Sequence, residues 1–150
     1  QNNGGVRIPK LPKGDITRRD ILTLDPFGNE MMVADLSLDE LKALLLSGTV
    51  REEEHRPFLI SGATAHYVFT PDKKCTSIEL RDAKGKPLSP KRRYKVAYNS
   101  YINAAYPYEH KQLAVGQGYN TAEAIIRYIG QLKKVPSYQK ASPRIHIKVK

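Results

Sequence analysis

Four histidines and a single cysteine are the side chains with which this chain of 150 residues would hold a metal ion or act as a nucleophile. Their spacing speaks against both. His55, His66, His110 and His146 stand far apart, and none falls in an H-E-x-x-H or H-x-H arrangement. Cys75 alone closes no intramolecular disulfide and makes no multi-cysteine zinc site. A metal centre inside this chain is therefore not expected. Cys75 reads as a small buried hydrophobe at a strand start, and His66, set in an apolar strand, as a structural histidine. What remains are groups that bind rather than react. Arg7 follows a glycine pair, Phe27 and Asn29 flank Gly28 after Pro26, and Tyr101 lies in a run with Tyr98, Tyr106 and Tyr108. Taken singly, each has an ordinary reading as a surface arginine, a core plug or a turn residue. Nine tyrosines against three phenylalanines and no tryptophan point to half-exposed aromatics with polar tips.

The charge balance narrows the partners. Lys and Arg number 25 against 15 Asp and Glu, giving a net +10 that favours anionic ligands over cationic ones. The excess sits in the later two thirds: residues 1–50 hold six basic and seven acidic side chains, 51–100 eleven and six, 101–150 eight and two. It is scattered as Lys73-Lys74, Lys91-Arg92-Arg93 and Lys133-Lys134 at expected turns and helix ends. A solvated face is the plainer reading there, with a nucleic-acid groove as the sharper one. No apolar run approaches the roughly 18 residues of a membrane span. Gln1–Gly5 has neither the charged nor the apolar region of a signal peptide, so any export signal would have lain upstream.

The elements that must position these residues are legible from periodicity and caps. Asp15 or Thr17 caps a short helix that includes Ile21 and Leu22 and ends by Pro26. Glu30 to Leu36 alternates as a strand covered on much of both faces. Ser37 and Glu40 form a capping box ahead of the stripe Leu38, Leu41, Leu44 and Leu45, and Gly48 is expected to stop that helix in a left-handed cap. Residues 58–69 read as one strand bent near Gly62, followed by strands over 76–80 and 94–99. Asn120-Thr121 caps an amphipathic helix over 122–132, and Ile145, Ile147 and Val149 alternate in a last, half-exposed strand. The expected class is α+β: one domain over 1–150, a mixed, mostly antiparallel sheet flanked by helices.

Two pieces become specific when set side by side: Asn2-Asn-Gly-Gly-Val-Arg7 and Asp25-Pro-Phe-Gly-Asn29, with Gly14-Asp-Ile-Thr17 between them. In order and spacing they resemble the C-terminal domain of the 5′-nucleotidase and UDP-sugar hydrolase family. The likeness continues through Ser61-Gly62, Gly85-Lys-Pro-Leu88 and Tyr94-Lys-Val-Ala97, over roughly residues 2–108. The resemblance implies an α+β domain that binds the nucleoside part of a substrate beside a metallophosphatase domain holding two metal ions. By the same resemblance Asn2, Arg7, Phe27, Asn29 and Tyr101 bind the substrate: Asn2 is the leading asparagine of its segment, Arg7 contacts phosphate, Phe27 and Tyr101 sandwich the base, and Asn29 contacts it. It implies no cofactor in this chain, divalent metal ions in the catalytic partner, and a periplasmic or cell-surface location. No catalytic residue is expected here, because the family's D-x-H and G-N-H-D/E motifs are absent and Gly28-Asn29-Glu30 lacks the histidine. Ala105-Tyr106-Pro107-Tyr108 replaces the family's Gly-Gly-Asp-Gly loop, so Pro107 stands where an aspartate would take the ribose hydroxyls. The family domain also begins with a further strand and helix ahead of the glycine-rich segment. Two other functions stay open at this point: a binding module turned to another phosphorylated or aromatic ligand, and a basic nucleic-acid-binding domain.

Overall fold

Ser37 starts the element on which the interior is built. In the computed structural model, Glu40 N–H donates to Ser37 Oγ (3.2 Å) and Ser37 N–H donates to Glu40 Oε2 (2.7 Å), the reciprocal capping box that the sequence spells. The structure describes residues 1–8, 10–11, 13–50, 57–136 and 142–150; His55 lies outside them. The capped helix, α2 (Leu38–Val50), buries Leu38, Leu41, Leu44 and Leu45 and touches both sheets of the domain. It does not end at Gly48. That residue is inside the helix, where an added Cβ would lie 2.9 Å from the ring of Phe58, so glycine is there for close packing and not as a cap.

Around it the chain forms α1 (Arg18–Leu24), β1 (Glu30–Ser37), β2 (Thr64–Phe69), β3 (Cys75–Arg81), β4 (Arg93–Asn99), α3 (Ser100–Ala105), β5 (Val115–Asn120), α4 (Thr121–Leu132) and β6 (Ile145–Val149). The α+β class and mostly antiparallel pairing hold, but the strands divide into two three-stranded sheets where one was expected. The first has the order β4-β1-β5 and is antiparallel throughout; the second has the order β3-β2-β6, with β6 parallel to β2. Alternation tells which face of a strand is buried, not which sheet it joins, and this is why the division was hidden. Register puts Ala34 opposite Val96 and Leu36 opposite Tyr94 on one inner face. Ala65, Tyr67 and Phe69 of β2 form the other, and Leu80 of β3 joins them.

Three local expectations shift. The strand expected over 58–69 begins only at Thr64, after Gly62. Strand β5 was not foreseen, because Val-Gly-Gln-Gly shows no apolar alternation; its Gly116 lies under the Glu30 carboxylate, which takes the N–H of Gly118 at 3.0 Å. His66 faces outward from β2 and stacks on His146 of β6, ring centroids 4.5 Å apart. Cys75 is half-buried, its thiol pushed up by that burial.

Candidate nucleotide site

The turn Asp25–Asn29 leaves α1 and enters β1, and it is fixed at both ends by the start of α4. Thr121 donates its hydroxyl to the buried Asp25 carboxylate, and Thr121 N–H donates to Asn29 O at 2.9 Å. Helix α4 has its own capping box between Asn120 and Glu123, so the anchor is itself rigid. Between the two pins Gly28 takes φ +64°, a conformation that side-chain-bearing residues seldom adopt, and this sharp turn leaves Phe27 47% exposed at its tip. Arg7 is brought to it from twenty residues away. Its N–H donates to Leu24 O at 3.0 Å, and its guanidinium carbon lies 5.3 Å from the Phe27 ring centroid, within cation–π range.

Tyr101 follows the end of β4, whose Asn99 pairs with Met31 of β1. Asn99, at the end of β4, accepts Ile102 N–H at 2.8 Å and so caps the short helix α3 that carries Tyr101. Glu30 N–H, next to Asn29, donates to Ser100 Oγ at 3.1 Å, tying the Phe27 turn to the first residue of α3. Tyr101 is 41% exposed and meets Tyr106 edge-on at 6.1 Å. Asn2 has a different place: it is buried, and its Oδ1 accepts from the Asn99 amide at 3.2 Å. It thus joins the glycine-rich segment of Arg7 to the cap beneath Tyr101. Asn29 is half-buried, its carbonyl taken by Thr121.

The segment after α3 is held from behind. Tyr106 packs edge-on against Phe58 at 4.8 Å, and Tyr108 Oη lies 2.9 Å from Tyr98 Oη. Burial raises the pKa of both phenols, so both stay protonated at neutral pH. Glu40 Oε1 accepts the N–H of Lys111 at 2.7 Å, and these main-chain bonds from Ser37 and Lys111 hold its carboxyl below the usual glutamate value. Pro107 is exposed and offers no carboxylate. Among the described residues no three His, Cys, Asp or Glu side chains converge in a way that would hold a metal ion. Sequence reasoning missed Asn99, Asp25 and Thr121. An asparagine closing a strand before Ser-Tyr-Ile was the available signal for the first; the Asp25–Thr121 pair had none.

An exposed aromatic beside an arginine at a glycine turn and a second exposed aromatic on a capped helix thus stand at the joined ends of β1 and β4. The chain belongs to the 5′-nucleotidase family: the model of the 5′-nucleotidase C-terminal domain matches residues 1–106. It is similar to the trifunctional nucleotide phosphoesterase protein YfkN of Bacillus subtilis, 30% identical over 109 residues, which are 69% of this chain and 7% of that protein. It is 29% identical over 136 residues to the protein UshA of Yersinia enterocolitica, covering 85% of this chain and 23% of the relative. The crystal structure of a 5′-nucleotidase precursor from Thermus thermophilus superposes with a TM-score of 0.77 at 29% identity, over 97% of this chain and 30% of that one. The chain thus spans less than a third of each. No helix among the described residues is long and apolar enough to cross a membrane.

Proposed function

We propose that this domain recognises the nucleotide substrate of a 5′-nucleotidase-type phosphoester hydrolase whose metal-dependent catalysis is supplied by a metallophosphatase domain or subunit. The observation that carries the reading is the meeting of Arg7 with Phe27 on a turn that is bonded to the helix of Tyr101. In this reading the base stacks between Phe27 and Tyr101, at about 1–3 kcal/mol per stack, and Asn29 touches its edge. The Arg7 guanidinium takes phosphate oxygens in a bidentate pair, and Asn2 holds the Arg7 segment against Asn99. The metal ions that polarise the phosphate belong to the partner, and the periplasm or cell surface is the proposed location. The chain's relatives, one of them named as a nucleotide phosphoesterase, support the ligand class.

Calorimetric titration with AMP, adenosine and inorganic phosphate tests this, beside a metal-supplemented nucleotidase assay. AMP binds at one site without turnover, and the Phe27→Ala/Tyr101→Ala double variant loses it. Unchanged AMP binding in that variant would sink the stacking model. Affinity that instead grows with oligonucleotide length and collapses with salt would mark a nucleic-acid binder.

A further inference from the structure

His66 and His146 lie far apart in the sequence, and the second sheet sets them side by side. Strand β6 runs parallel to β2 with His146 opposite His66, and Glu79 of β3 faces His66 from the other flank. One row across the sheet therefore reads His146, His66, Glu79. Because Ala65, Tyr67 and Phe69 point into the core, strand alternation turns His66 and its row to the outer face. The row stands on fixed backbone: Ala65 N–H donates to Arg144 O at 2.8 Å ahead of β6, and Lys150 N–H donates to Phe69 O at 2.9 Å behind it.

The two imidazole planes are within 7° of parallel, with centroids 4.5 Å apart. No protein group among the described residues takes a ring nitrogen of either one, whereas His110 engages Gln112 O through Nδ1 at 2.8 Å. His66 is half-buried and His146 exposed, so the pair is open to ions from solvent. Two imidazole nitrogens on one tetrahedral zinc ion, each at about 2.0–2.1 Å, stand roughly 3.3 Å from each other. Rings already stacked at 4.5 Å need side-chain rotation, not strand movement, to reach that separation. Two histidines are fewer protein ligands than a structural or catalytic zinc centre has, and water fills the rest of such a coordination shell. Lys148 follows on β6 and Arg81 on β3, the latter paired with Glu79 at 2.9 Å. Glu79, the acidic member of the row, offsets part of the repulsion that a dication would meet on this basic chain.

We propose that His66 and His146 chelate one divalent transition-metal ion of the kind that prefers imidazole, Cu²⁺ or Zn²⁺, with water in the remaining positions. The ion clamps the edge strand β6 to β2 and so stabilises the second sheet. Affinity follows the order of imidazole sites, Cu²⁺ above Zn²⁺, while Mg²⁺, which prefers oxygen ligands, does not compete. Neither histidine belongs to the nucleotide site described above.

Calorimetric titration of the full chain with CuCl₂, ZnCl₂ and MgCl₂ tests it, alongside thermal unfolding and the histidine Cε1–H signals in NMR. One Cu²⁺ or one Zn²⁺ binds per chain, and Zn²⁺ at about a hundredfold above its Kd raises Tm by about 5–10 °C. Substoichiometric Cu²⁺ broadens the signals of His66 and His146 before those of His55 and His110. His146→Gln, a change at an exposed edge position, weakens binding of both ions about tenfold or more and abolishes the rise in Tm, whereas His110→Gln changes neither. The proposal is overturned if neither ion binds, if His146→Gln binds as tightly as the unaltered chain, or if His55 or His110 broadens first. Should the His146 variant fail to fold, the order of broadening in the unaltered chain decides by itself.

Discussion

The sheet built on β1 carries the turn of Phe27 and Asn29 and the helix of Tyr101 on its connections, and holds the Arg7 segment through Leu24 and Asn99; the sheet built on β2 carries none of these residues. The first half is tied by polar bonds, buried between Asp25 and Thr121 and between Asn99 and Asn2, and partly buried between Glu40 and Lys111. The second is held by apolar burial of Ala65, Tyr67, Phe69 and Leu80, with its outer face left to pairs such as His66 on His146. Polar locks are directional and fix where a loop points, whereas apolar burial is indifferent to direction and fixes only that two layers stay together. The division predicts that affinity and stability respond separately to substitutions in the two halves.

The largest effect belongs to the apolar half. Leu80→Ala costs about 2–5 kcal/mol of stability, read by denaturant unfolding, while the folded fraction keeps its AMP affinity. A matching loss of affinity in folded protein would erase the distinction. Asp25→Ala sits at the junction of both properties: it strands the Thr121 hydroxyl, costs about 1–3 kcal/mol, and weakens AMP binding as the turn loosens. Phe27→Ala is the converse of Leu80→Ala. With Phe27 47% exposed, unfolding shifts by about 0.5 kcal/mol or less, while AMP affinity falls about five- to 150-fold in calorimetry.

Two smaller effects sharpen the comparison. Because the Glu40 carboxyl is held below its ordinary value of 4.5, its ionised form is favoured by folding. That stabilisation is complete above the unfolded value and is lost as pH falls through the folded one. Glu40→Gln therefore flattens the dependence of stability on pH below about 5, a change visible in acid unfolding curves. In the other half, the buried Tyr67 hydroxyl has no hydrogen-bond partner among the described residues. Removing it should not hurt: Tyr67→Phe leaves Tm unchanged or raises it by a few degrees, and a fall of several degrees would mean that the hydroxyl is satisfied after all.

Much of the polar half was readable in the sequence, since capping boxes are written in four residues and the alternation of β1 in seven of its eight. Arg7 and Phe27 were singled out through a resemblance that covers both segments, and the structure brings the guanidinium within 5.3 Å of the ring centroid. The rest was unreadable for physical reasons. A glycine-alternating strand such as β5 has no apolar period to detect, and Gly48 looks the same in sequence whether it ends a helix or admits a ring. The burial of Asn2 was invisible because an amide that binds a ligand and one that binds Asn99 are the same side chain.

Gly48 sets the thickness of the domain behind the site. On helix propensity alone, alanine there would be favoured by about 1 kcal/mol, yet the Phe58 ring leaves no room for even one methyl group. Phe58 leans on Tyr106, and Tyr106 on Tyr101. The three rings form a continuous stack from a helix in the interior to the exposed face of Tyr101. The position of Tyr101 is thereby gauged from the core, by a glycine two rings removed from it.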